Sequence, residues 1–127
     1  MFGFFKNRRE REREGLRSDF HRVLGKVSQA PEVAQVAVGY GINFATKMLQ
    51  AQFGSLPAFQ KLPEDQKLEY LKSCIKAEEA MQAKDPTVSV GFSLFKMLVG
   101  TLAANDEELF YEFSKALAPL SKKGDLL

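Results

Sequence analysis

One histidine and one cysteine limit what this chain can catalyse. His21 is the only imidazole and Cys74 the only thiol among 127 residues. An ordinary zinc site draws three or four ligands, mostly His and Cys, and one chain cannot build it from one of each. A nucleophilic Cys or Ser needs an imidazole within hydrogen-bond reach. His21 stands beside Phe20 in a charged segment, whereas Cys74 falls on the apolar side of a later helix, so no such pair is expected. Haem ligation by His21 is not expected either.

The motifs that resemble catalytic ones lack their partners. "GFSLF" at Gly91–Phe95 has neither the second glycine nor the strand–turn–helix setting of a nucleophile elbow. "GYG" at Gly39–Gly41 follows no strand and has no third glycine, so it is not a dinucleotide loop. Glu78–Glu79 and Asp106–Glu107–Glu108 are adjacent acids, and adjacent helical side chains diverge. They read as a solvated face and a helix start. The Glu-x-x-His pair of a di-iron bundle does not occur. The chain is therefore read as a non-enzyme, with no catalytic residue, metal or cofactor.

Recognition is a better use for the opening "MFGFFKNRREREREG". Phe2, Phe4 and Phe5 precede Arg8, Arg9, Arg11 and Arg13, and these seven are the candidate partner-binding residues. Every arginine of the chain lies at or before Arg22. Residues 1–26 carry a formal +4 and the Lys-only remainder a formal −2. Arginine is the better donor for planar, bidentate contacts. On a helix, Arg8–Glu12, Arg9–Glu12 and Glu10–Arg13 would pair, each contributing a few tenths of a kcal/mol. The interleaved glutamates cancel much of the field, so nucleic acid is not an expected partner and binding to anionic lipid is weakened.

Composition sets the frame. The chain is 45% apolar and 27% charged, ordinary for one globular domain. A lone cysteine fits a reducing compartment, and Phe2–Phe5 is too short for a signal peptide, so a cytoplasmic location is expected. Pro86–Ala104 is the nearest candidate for a membrane span. Lys96 and several Ser, Thr and Gly interrupt it, and it is read as a core helix.

Helical periodicity runs through the body. The first helix places Leu16, Phe20, Val23, Leu24 and Val27 on one side and ends near Ser28, before Pro31. Pro31 opens the second, whose stripe of Val33, Val36, Ala37, Tyr40, Phe44 and Met48 is expected to face the core. Ala37, Gly41 and Ala45, four apart, would let a neighbouring backbone approach closely, with Gly41 nearer the contact than Gly39. A linker with a short turn leads to Pro63 and a third helix ending near Lys84. Its inner side holds Tyr70, Cys74, Ala77 and Met81, and Lys67 is expected in solvent. Asp85 and Pro86 start a fourth helix bearing Val88, Phe92, Phe95, Val99 and Leu102. Asn105 is expected to cap the fifth, with Glu108 reaching back. Leu109, Phe113, Leu117 and Leu120 line that helix, Pro119 and Gly124 end it, and "SKKGDLL" frays.

The expected fold is an all-α, single-domain bundle of about five helices, the second and fourth most buried. Residues 1–15 form a charged arm or helix extension, 16–120 the bundle and 121–127 a tail. The expected function is a small protein–protein interaction module: an adaptor, inhibitor, chaperone or immunity-like protein, self-association included. The alternative is a peripheral membrane protein held by the N-terminal Phe/Arg segment. A small apolar ligand among the Phe and Met residues is a third reading.

Overall fold

The structure, a computed structural model, describes residues 2–125, with side chains from Arg8 onward. The described residues form an all-α bundle of six helices: α1 (Phe2–Ser28), α2 (Glu32–Phe53), α3 (Leu56–Gln60), α4 (Glu64–Lys84), α5 (Pro86–Ala103) and α6 (Glu107–Gly124). The added element is α3. Ser55 caps it by accepting from the Ala58 N–H, and Pro57 presets its first turn, so the expected linker turn becomes a short helix.

The centre is α5, the fourth of the expected long helices. Ten of its 18 residues are buried, with Leu94 and Val99 fully enclosed. The Asp85 carboxylate accepts from the Thr87 and Val88 N–H groups and Pro86 follows, as expected. α5 is also the one helix among the described residues long and apolar enough to cross a membrane, and more than half of it is buried in the bundle. α2 packs against it and α6, and α4 packs against another side of α5.

Glycines set the spacing of α2. A Cβ on Gly41 would collide with the Val88 carbonyl and lie 3.2 Å from Gly91 Cα on α5. A Cβ on Gly39 would strike the Leu120 carbonyl and lie 2.7 Å from the Gly124 nitrogen on α6. The small-residue contact is therefore double. Gly39 does the same work toward α6 that Gly41 does toward α5.

This placement reverses the expected face of α2. Its core side is Val38, Ile42, Ala45 and Leu49, whereas Val33, Tyr40, Phe44 and Met48 are exposed. Backbones drawn together by glycines leave room only for short or branched side chains between them. The larger aromatic residues therefore occupy the opposite side.

Two helix ends also differ from expectation. Asp106, not Asn105, caps α6 through the Leu109 N–H. Asn105 instead closes α5, with a left-handed φ of 56°. Asp106 N donates to the Thr101 carbonyl and Asn105 N to that of Leu102, the paired bonds of a Schellman stop. The Asn105 side chain accepts from Lys67 Nζ at 3.2 Å, so Lys67 is buried beneath this corner and not in solvent.

α6 runs through Pro119 to Gly124 and does not stop at the proline. Pro119 is exposed, so its ring projects outward and forfeits one backbone bond. Contacts with α2 hold the last turn: Asn43 Nδ2 donates to the Ser121 carbonyl at 2.9 Å, Lys123 pairs with Glu32 at 3.1 Å, and Gly124 abuts Gly39. The helix thus includes residues 121–124 of the expected tail. Leu126 and Leu127 lie outside the described residues.

At the other end, α1 begins at Phe2, so the opening segment and the Leu16–Ser28 helix are one element. Side-chain contacts hold it to α6. The Phe20 and Phe113 rings, both fully buried, stack with centroids 3.8 Å apart. Arg17 grips Glu112 with two nitrogens, each at 2.9 Å.

Candidate functional site

Exposed apolar surface gathers on one face. Of seven large apolar side chains exposed among the described residues, four lie on α2: Val33 at 78%, Tyr40 at 40%, Phe44 at 41% and Met48 at 50%. Beside Met48 a groove of about 170 Å³ opens between α2 and α4. Ala45, Met48 and Gln52 form one wall, Tyr70, Ser73, Cys74 and Ala77 the other, and Phe92 and Phe95 of α5 the floor.

Aromatic packing supports the groove at both ends. Phe44 stacks on Phe92 with centroids 6.0 Å apart, and Tyr40 lies 6.2 Å from Phe44. At the other end Phe53, Phe59 and Tyr70 form a three-ring cluster with each centroid pair 5.3 Å apart. These rings touch along their edges, the favourable geometry for quadrupoles.

The polar groups in the groove are poor reagents. Burial raises the Cys74 thiol above its ordinary pKa and outweighs the lowering effects of Tyr70 and Lys96. Burial, with Cys74 close by, also pushes the Tyr70 phenol far up. Both hold their protons at neutral pH, so the groove offers apolar contact and weak donors but no thiolate. His21 is elsewhere: its Nε2 meets Glu112 Oε2 at 2.9 Å on α6, and its ring lies edge-on to Phe20. Among the described residues, the groups that act on Cys74 are Tyr70, Lys96 and Glu78, and His21 is not one of them. Among the described residues no three His, Cys, Asp or Glu side chains converge as metal ligands.

The four arginines named from sequence divide. Arg8 is exposed and pairs with Glu12 at 3.4 Å. Arg9 and Arg11 are exposed on the same helix. Arg13 turns inward and donates from Nε to Asp106 Oδ2 at 2.7 Å, with Glu108 3.7 Å from its Nη2. That contact joins α1 to the cap of α6. Burial works to raise the Asp106 pKa, but hydrogen bonds from Arg13 and the Leu109 N–H prevail and hold it below the ordinary value. The side chains of Phe2, Phe4 and Phe5 lie outside the described residues.

Two other depressions are less suited to an apolar partner. One of about 800 Å³ lies where α1 meets the α5–α6 corner, and Arg9, Glu12, Arg13, Glu64, Asp106 and Glu107 make it a charged cleft. The other, about 480 Å³, has apolar walls from Val23, Val27, Val38 and Val90, but no exposed large apolar side chain stands on its rim.

Sequence reasoning missed the groove and misread the stripe beside it. The available signal was the lack of charge from Val33 to Thr46. A helix apolar all round is buried on every side or waits for a second neighbour. No family model, curated protein or solved structure matches this chain.

Proposed function

We propose that the protein is a non-enzymatic interaction module of the cytoplasm. Its docking face is the outer stripe of α2 with the adjoining groove, and it receives an apolar segment of another polypeptide. The observation behind this reading is the concentration of exposed Val33, Tyr40, Phe44 and Met48 on one side of one helix, next to a groove floored by Phe92. An amphipathic helix laid across such a surface places apolar anchors at helical spacing. A cavity of about 170 Å³ is small beside the roughly 300–1,000 Å³ of drug-sized ligand sites, which weighs against an enclosed ligand.

The test is a photo-crosslinking residue placed at Phe44 and, as a control, at Lys115 on α6. A discrete polypeptide adduct at position 44 and none at 115, formed in the source cell, is the expected result. Absence of any adduct at 44 removes the reading.

α1 supports a second reading. It is one helix from Phe2, and residues 8–12 are exposed along it before Arg13 engages α6. A basic helix beginning with Phe2, Phe4 and Phe5 suits a peripheral membrane protein. Co-sedimentation with anionic vesicles, abolished when all three are changed to Ser, supports that reading; no co-sedimentation of the wild type ends it.

A further inference from the structure

The docking face can pair with itself when two copies of α2 run antiparallel. Its exposed residues are Val33, Tyr40, Phe44, Met48 and Ala51, with half-buried Ala37 at its edge. A second α2 laid antiparallel, with its two-fold axis beside residue 42, sets Val33 against Ala51, Ala37 against Met48, and Tyr40 against Phe44. Small residues meet large ones toward the ends and aromatic rings meet at the centre. A two-fold interface requires such self-complementarity, because the same patch serves on both subunits.

We infer that the partner on this face is a second copy of the chain, the two α2 helices packing antiparallel. The inference rests on the reading of this face as a docking surface. Charge permits the arrangement. The only charged residue within the stripe's span is Lys47, on its flank. In this register Lys47 stands level with residue 37 or 38 of the other copy. The two Lys47 side chains are thus roughly 15 Å apart along the axis at 1.5 Å per residue, well beyond the screening length of about 8 Å at physiological salt.

Area sets the strength. A fully exposed aromatic side chain offers about 150–250 Å², so the exposed shares of Val33, Tyr40, Phe44 and Met48 sum to roughly 400 Å². A standard interface buries about 800 Å² per partner. The remainder comes from the polar flanks of α2 and from α4 across the groove. The dimer is accordingly modest in strength and depends on concentration.

The test is sedimentation equilibrium of the full chain over a concentration series, with crosslinking to read the register. The wild type should pass from monomer to dimer. Phe44→Glu should raise the dimer dissociation constant at least about tenfold, since two carboxylates then meet near the axis. In a Cys74→Ser background, Ala37→Cys with Met48→Cys should oxidise to a covalent dimer, whereas either cysteine alone should not. The two positions are too far apart within one helix to bridge. The double-cysteine chain keeps the test valid if Phe44→Glu does not fold. A wild type monomeric at every concentration overturns the inference, as does a dimer that is insensitive to Phe44→Glu and does not crosslink at 37 and 48. If the chain is monomeric but position 44 captures a different polypeptide, self-pairing is wrong and the docking face stands. If neither is seen, both readings fall.

Discussion

Single residues in this protein act mainly through backbone geometry. Gly39→Ala and Gly41→Ala should each destabilise by about 1–3 kcal/mol, because each new methyl meets backbone atoms that cannot turn aside. Gly15→Ala should do the opposite. Beyond its own helix backbone nothing lies within 4 Å of its Cβ position, so the gain in helix propensity is about 0.5–1 kcal/mol. Urea midpoints for the three variants check both signs, and three equal shifts would refute the close approach. Asn105 calls for a different comparison. Its left-handed φ costs an ordinary residue about 1–2 kcal/mol, so Asn105→Ala should lose roughly that amount. Asn105→Gly should lose less, although it also removes the acceptor for Lys67. Equal losses would assign the residue's value to the hydrogen bond alone. Asparagine before "DEE" looks like a cap in sequence. Its role as the stop of the previous helix depends on a φ that residue type only suggests.

Elements were largely legible, and faces were less so. The proline, aspartate and helical-period signals placed the starts of α2, α4 and α5, and α5 bears the apolar stripe expected of the central helix. For α2 they could not choose between two apolar sides. The decision came from Gly91 and Gly124 on other helices, which meet Gly41 and Gly39 across the core, and such a match is not local in sequence. Pro119 misled for a related reason. A proline stops a helix unless tertiary contacts repay the lost bond, and here Asn43, Glu32 and Gly39 supply those contacts from 78 or more residues away. The reversed face has a direct check. Leu49→Ala, at a fully buried position, should cost about 2–5 kcal/mol. Met48→Ala, one residue earlier and half exposed, should cost about 1 kcal/mol or less. Comparable losses in chemical denaturation would return the Met48 side to the core. The groove itself was not legible, because it needs the spacing of α2 and α4 over Phe92 and Phe95, which no single segment encodes.

At the scale of the whole molecule, the seam between α1 and α6 is held largely by charge. Its ties are Arg13–Asp106, Arg17–Glu112 and His21–Glu112, around one stacked pair of phenylalanines. α1 also adds Phe20 and Val27 to the apolar core that it shares with α2, α5 and α6, while α4 packs against that core through half-buried Tyr70, Leu71, Ala77 and Met81. Acid should therefore act unevenly. The hydrogen bond from His21, joined by Arg17 and opposed by burial, holds Glu112 below its ordinary 4.5. Asp106 is likewise held below 3.8. Each carboxyl binds its proton more readily in the unfolded chain than in the folded one. Their stabilisation is thus complete above the ordinary carboxylate range and drains away as pH falls through the lower folded values. Amide exchange followed from pH 7 downward should show α1 losing protection relative to α5 once the pH passes below about 4. Glu112→Gln and Asp106→Asn should lower the melting temperature at neutral pH, and the gap from wild type should close as the wild-type carboxylates take up protons. If the gap persists unchanged at low pH, the two side chains hold α1 by shape and neutral hydrogen bonding, and the charges at this seam contribute nothing to the attachment.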